Sequence, residues 1–215
     1  MKKNGLFSIV ALVAFIVSLS ACGGSDSTSS SKFPFSEYVS VLKKAAEVSD
    51  ALKEKLNEVK DLSDLAKLVE QSKVEEQEYK DAVKELVEQD MGKEVVLKIA
   101  DGAPFVIESP IKLGKSLVYS DAIWMKLEGE LALKEAVNLS DGKTALVANV
   151  NVLDKEGNVL YTKKNFATFK GVKNEDGTFA VPADTKVPVE EYVVMKDKDV
   201  DNWVNAAQMV IVVAE

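Results

Sequence analysis

The groups that could do chemistry in this 215-residue chain are almost all carboxylates. There are 35 Asp and Glu against 27 Lys and Arg, one Cys and no His. Without His there are no His-based triads, His general bases or His metal ligands. The most regular acidic run is Asp197, Asp199 and Asp201, which alternate with Lys196, Lys198 and Val200. Alternating acids can hold calcium, which takes about six to eight oxygens. An EF-hand loop starting at Asp197 would need Gly at its sixth position and Glu at its twelfth, and Asn202 and Gln208 stand there instead. A solvated loop is therefore the expected state of these three residues, and they remain the weak candidates for a metal. Asp154, Glu156 and Asn158 form a second cluster, which turn chemistry already explains.

Paired carboxylates can hydrolyse glycosides without His, but no pair among these acids is marked out by its spacing. Phosphate-cradling loops between a strand and a helix are absent: Gly23-Gly24 stands in a serine-rich stretch. No catalytic residue and no cofactor is expected, and the chain reads as a non-enzyme. Trp124 and Trp203, the two tryptophans, are the residues that could anchor a partner. Trp124 lies opposite the apolar face of its strand, so it either points outward or is covered by the helical segment; covering is the expectation.

The single cysteine has a different chemistry. Lys2 and Lys3 head the chain, residues 6–19 are apolar except for Ser8 and Ser18, and Leu19-Ser20-Ala21-Cys22 follows. A positive head, an apolar run and small residues at a cleavage site describe an export signal, and the run is short for a spanning helix. The tetrad resembles the lipobox of bacterial lipoproteins. That resemblance implies a signal peptide over residues 1–21, cleavage before Cys22, lipid on its sulfur and often an acyl group on its amine. Several acyl chains make a stable anchor where one does not. Gly23 after the cysteine resembles outer-membrane sorting, facing the periplasm; the same tail would also suit a cell-surface lipoprotein.

Lys2 and Lys3 are the only charges of that leader, so the remainder is two charges more acidic than the whole chain's −8. An acidic body has no general attraction to nucleic acid or to anionic headgroups, so membrane contact is assigned to the lipid. With Cys22 acylated, no disulfide is available, and stability must come from burial.

The elements that position these residues fall into two halves. Residues 22–35 read as anchor and Ser/Gly-rich tether. Residues 36–90 contain neither Gly nor Pro and are rich in helix formers. Tyr38, Leu42, Ala45, Leu52, Leu56 and Val59 form an apolar stripe. The pattern slips at Asp61-Leu62-Ser63-Asp64, where Asp or Ser can cap a second helix. Tyr79, Ala82, Val83, Leu86 and Val87 form another apolar group, and Gly92 is a plausible stop. Two or three helices are expected over 36–91, packed within the chain rather than in a coiled coil. Expected acid–lysine pairs are Asp50/Lys53, Asp64/Lys67, Glu70/Lys73, Glu76/Lys80 and Asp81/Lys84.

From residue 92 the period changes to two. Ile123, Met125, Leu127, Leu131 and Leu133 alternate with Trp124, Lys126, Glu128 and Glu130 in one long strand. Ala148, Val150 and Val152 continue the pattern, residues 154–158 make a hairpin turn, and further strands are expected near 178–181, 187–194 and 207–214. Helices followed by antiparallel strands predict an α+β chain whose second half, 92–215, is a β-sandwich.

Residues 127–130, the turn at 138–141 and the run 150–160 resemble immunoglobulin-like domains of bacterial envelope proteins of the FxLYD type. Asp154 and Gly157 keep that pattern, while Val150 and Leu153 stand where its aromatics would be. The resemblance implies an immunoglobulin-like fold and carries over no site. The expectation is a lipid-anchored, non-enzymatic interaction module with an envelope protein as partner. The alternative is a lipoprotein that binds a small ligand or a glycan, with or without calcium.

Overall fold

The computed structural model describes residues 33–140 and 142–214 of the chain. The leader, Cys22 and most of the expected tether lie outside the described residues. The protein is an α+β chain: two long helices come first, then several mostly antiparallel sheets.

The helices are α1, Ser36–Asn57, and α2, Leu62–Asp90. Asp61 caps α2 as expected, its carboxylate accepting from the backbone N–H groups of Ser63 (2.8 Å) and Asp64 (2.9 Å). At the other end Gly92 has φ +83°, a left-handed conformation that glycine adopts without strain. Its N–H donates to the Leu113 carbonyl at 2.7 Å, tying the end of the hairpin to the strands. Four of the five expected ion pairs form: Asp50–Lys53, Asp64–Lys67, Glu70–Lys73 and Glu76–Lys80. The fifth does not, because Asp81 accepts from Gln77 and Lys84 reaches Glu88. All are exposed, so each adds only tenths of a kcal/mol.

Burial divides the hairpin in two. Tyr38, Val39 and Leu42 of α1, and Tyr79, Val83, Leu86 and Val87 of α2, are buried. The far halves bury nothing fully, and Val48, Leu56, Leu62, Val69 and Val74 are exposed there. Leu56 lies on the expected apolar stripe, but the stripe outruns the surface that could cover it.

The end of the expected tether is part of the fold. Phe33 and Phe35 are buried and pack edge to face, with ring centroids 5.8 Å apart. Two aromatic side chains beside the first helical turn remove enough apolar area from water to order the segment that carries them.

The first sheet is built on β4, Ala122–Leu133, which pairs with β10, Lys186–Lys196, along its whole length and with β2, Phe105–Leu113, and β3, Leu117–Val118, on the other side. Ile123, Met125, Leu127, Leu131 and Leu133 point into the core, as the alternation predicted. β2 slips register twice, between Ile107 and Ser109 and between Ser109 and Lys112. Pro110 lies inside the second slip and has no N–H to give a ladder. Gly129 faces this bulge, and a Cβ there would stand 2.5 Å from Ile111 Cδ1 and 3.0 Å from the Ile111 Cα.

The second sheet runs β1 (Lys98–Ile99), β11 (Gln208–Val213), β6 (Ala145–Leu153) and β7 (Val159–Lys170), with β1 parallel to β11 and the rest antiparallel. The β6–β7 turn is the one expected: the Asp154 carboxylate accepts from Asn158 N–H and Nδ2, both at 2.8 Å. Those bonds, the Nδ2 one foremost, hold its carboxyl below the usual carboxylate range. A small third sheet joins β5 (Val137–Asn138), β9 (Phe179–Val181) and β8 (Val172–Lys173). Both large sheets and the helices share one hydrophobic core, in which Phe105 and Phe169 stack at 5.5 Å. A short helix α3, Val200–Val204, sits between β10 and β11.

Candidate functional site

The alternation that buries Ile123 and Met125 must turn Trp124 outward. Trp124 is paired with Leu117 of β3 on one side and Val194 of β10 on the other. The Tyr119 N–H donates to the Ala122 carbonyl at 2.9 Å, a tight turn that brings the Tyr119 ring to 5.6 Å from that of Trp124. Tyr192, two residues before Val194, lies diagonally across the pair, and its ring is 5.9 Å from Trp124. Tyr119–Trp124–Tyr192 is thus a row of three touching rings on the outer face of the first sheet. Tyr119 is 47% and Trp124 37% exposed. The expectation that the helices cover Trp124 is overturned, because the hairpin commits its apolar ends to the shared core.

One step along β4 from Trp124, Lys126 is paired with Tyr192. Its Nζ is 2.5 Å from Glu128 and 3.8 Å from Glu190. The Glu128 hydrogen bond raises the Lys126 pKa, against a smaller desolvation effect. Glu128 can lie where it does because Gly114 has no side chain: a Cβ there would be 2.6 Å from the Glu128 carboxyl carbon. Beyond it opens a hollow of about 540 Å³ lined by Ser109, Pro110, Lys112, Lys115, Glu128 and Gly129, among others. Aromatic row, charged pair and hollow are therefore consecutive features of one sheet face, joined by Lys126 and Glu128.

The other expected site residues lie elsewhere. Trp203, expected as a partner contact, is only 3% exposed. It sits between Tyr161, at 5.0 Å, and Phe33, at 6.3 Å, and is thereby removed from the surface. Asp197 and Asp199 form a 3₁₀ turn, and Asp201 lies in α3. Helical geometry fans these side chains apart, and the Asp197 carboxylate accepts from the neighbouring Lys198 N–H. Among the described residues, no group of three or more His, Cys, Asp or Glu side chains could hold a metal. Cys22 lies outside the described residues.

Two buried phenols complete the inventory. The Tyr79 hydroxyl has no hydrogen-bond partner among the described residues, and the Tyr38 hydroxyl lies beside the Asp90 side chain. Burial, reinforced by Asp90 at Tyr38 and by Asp197 and Asp121 at Tyr79, pushes both pKa values well above the usual phenol range. Both lie where the helices meet the core.

Sequence reasoning found Trp124 and missed Tyr119 and Tyr192. Tyr192 was legible as an outward residue, since it alternates with the inward Val193. What joins it to Trp124 is the β4–β10 register, which spans more than 60 residues of chain and leaves no local signal. No family model matches the chain, and no curated protein or solved structure matches it.

Proposed function

We propose that this is a lipid-anchored cell-envelope protein acting as a non-enzymatic binding module, with the outer face of the first sheet as its contact surface. The observation that carries the binding reading is the row of touching rings Tyr119–Trp124–Tyr192, the first two exposed and the third half-buried, on the same sheet face as a hollow of mixed apolar and polar lining. Amphipathic rings on a rigid sheet present large contact area at small entropic cost. A concave site of this volume with a few converging polar groups is the usual form of a binding site.

The anchor rests on Leu19-Ser20-Ala21-Cys22. Among the described residues no helix is long and apolar enough to cross a membrane; lipid attachment rests on the tetrad alone. The outer membrane, facing the periplasm, is the proposed location, on the strength of Gly23.

We read the strand half as an immunoglobulin-like sandwich. Its support is the pairing of β4 with β10 in one sheet and of β6 with β11 in the other. We take these pairs as counterparts of the B–E and C–F pairs of that fold.

Two measurements test the proposal. Mass spectrometry of the full chain expressed in a bacterium should find acyl mass on an N-terminal Cys22, lost in Cys22→Ala; an unmodified or uncleaved chain defeats the anchor. Crosslinking capture from native envelopes should be reduced by Trp124→Ala. Capture indifferent to Trp124 and Tyr192 removes this face from the function.

A further inference from the structure

We propose that the outer face of the second sheet docks a second copy of this chain, taking the carboxylate stripe on the outer side of that copy's α2. This surface is distinct from the Trp124 face and does not depend on it.

The sheet face is defined first by charge. Its strands β1, β11, β6 and β7 carry four lysines and no Asp or Glu, in a chain with 35 acids. Lys163 is taken up by Glu191 of β10, at 2.6 Å. Lys98, Lys164 and Lys170 have no carboxylate partner among the described residues. Asp101, Asp154 and Glu156 are close in sequence but lie beyond the strand ends.

It is defined next by its hydrogen-bonding groups. Alternation turns Asn149, Asn151, Gln208, Val210 and Val212 outward, away from the buried Val150, Met209 and Ile211. The amide oxygens are already used. The Asn165 N–H donates to Asn149 Oδ1 and the Lys98 ammonium to Gln208 Oε1, both at 2.9 Å, and the Thr162 hydroxyl donates to Asn151 Oδ1 at 2.8 Å. A backbone N–H and an ammonium can only donate, which fixes the Asn149 and Gln208 amides with their NH2 groups free. Those NH2 groups are not sealed from water. The face thus offers donors and ammonium groups around half-buried valines, with few acceptors. Its complement must accept hydrogen bonds and carry negative charge.

The same molecule carries that complement. Glu70, Val74, Glu78, Asp81, Glu85 and Glu88 recur at steps of three and four, so they line one side of α2. All six are exposed, while Tyr79, Val83, Leu86 and Val87 are buried on the other side. Among the described residues, only the two end members pair with lysine, Glu70 with Lys73 at 4.0 Å and Glu88 with Lys84 at 3.9 Å. Carboxylates only accept, and Val74 sets an aliphatic side chain among them. A helix also satisfies its own backbone, so it presents side chains alone, whereas a hydroxyl-rich ligand would set donors against donors. The stripe is about 27 Å long and β6 about 30 Å. One helix on one sheet face is small for a stable interface, but a two-fold pair makes the contact twice.

The experiment uses the full-length protein in detergent, with micelles in excess over chains so that sharing a micelle does not imitate association. Unlabelled and isotope-labelled protein are mixed and treated with a carbodiimide, which joins lysine amines directly to carboxylates. Expected are mixed-isotope links from Lys98, Lys164 or Lys170 to the α2 stripe, and association in the ultracentrifuge that weakens about tenfold when salt is raised to about 0.5 M. Lys98→Glu with Lys164→Glu should weaken it about tenfold or more, and so should Glu78→Lys with Glu85→Lys. Mixing these two variants should restore association, because each then offers the other an opposite charge. Trp124→Ala should associate normally. A monomer up to about 100 μM, mixed-isotope links through other residues only, association indifferent to both reversals, loss of association in Trp124→Ala, or reversed variants that fail to rescue each other overturns the proposal.

Discussion

The two tryptophans divide the labour of the molecule, one holding the fold and the other facing outward. Trp203 fills a space bounded by Phe33 and Tyr161. Trp203→Ala should cost about 3–5 kcal/mol of stability, measured by urea unfolding, while Trp124→Ala should cost no more than about 1 kcal/mol because its ring is partly in water already. Acrylamide should quench the emission of Trp124 and leave that of Trp203. The sequence alone could not rank them: Trp124 stands between Ile123 and Met125 and Trp203 between Asn202 and Val204, and only the long strand's alternation said which way Trp124 points. The contacts that bury Trp203 come from residues some 40 and 170 positions away.

The buried phenols make a second prediction at the same scale. Tyr38 and Tyr79 have pKa values raised by burial above the ordinary value near 10. Below about pH 10 their contribution to stability is complete. As pH rises further, the unfolded chain ionises while the folded one does not, so stability falls until the folded phenols ionise too. Urea midpoints between about pH 9 and pH 12 should show that decline, and Tyr38→Phe with Tyr79→Phe should flatten it.

Among the elements, the helical hairpin was the most legible. Its breaker-free composition, the Asp61 cap and the Gly92 stop each act through local backbone chemistry, which a sequence displays directly. Asp61→Ala should cost about 0.5–2 kcal/mol, read as a lowered melting temperature if the far half melts with the rest. Hydrogen exchange should settle that point: amides of residues 45–76 should exchange well before those of β4, because the far half buries no residue fully. The bulged β2 was not legible. Its second slip sets Pro110 against a strand that has Gly129 at the same level, a match between distant positions. Gly129→Ala should therefore cost about 1–3 kcal/mol through forced repacking, since the obstacle includes the backbone of Ile111. Gly114→Ala meets only the movable end of Glu128, and should shift that carboxylate with little loss of stability.

For the whole molecule, the change of period from helix to strand near residue 92 fixed the α+β order, and the strands near 123–133, 148–152, 187–194 and 207–214 followed from alternation. The pairing of those strands did not follow. β6 pairs with its sequence neighbour β7, whereas β4 pairs with β10 across more than 50 intervening residues. The candidate site inherits that opacity, because it is made where three strands come together. Alternation along β4 marks Trp124, whereas Tyr119 and Tyr192 reach it only through strand pairing.

The clasp of Phe33 and Trp203 gives the chain a mechanical character. Tension applied to the backbone upstream of residue 33 enters the fold at these rings, and Trp203 lies in the link between β10 and β11. The load thus reaches the C-terminal strands as well as the first helix from the outset. The tip of the hairpin, at residues 58–61, is off this line of force. Pulling from the N-terminal end should meet its first resistance at the aromatic clasp, and Phe33→Ala should lower that yield force while leaving the helix cap at Asp61 untouched.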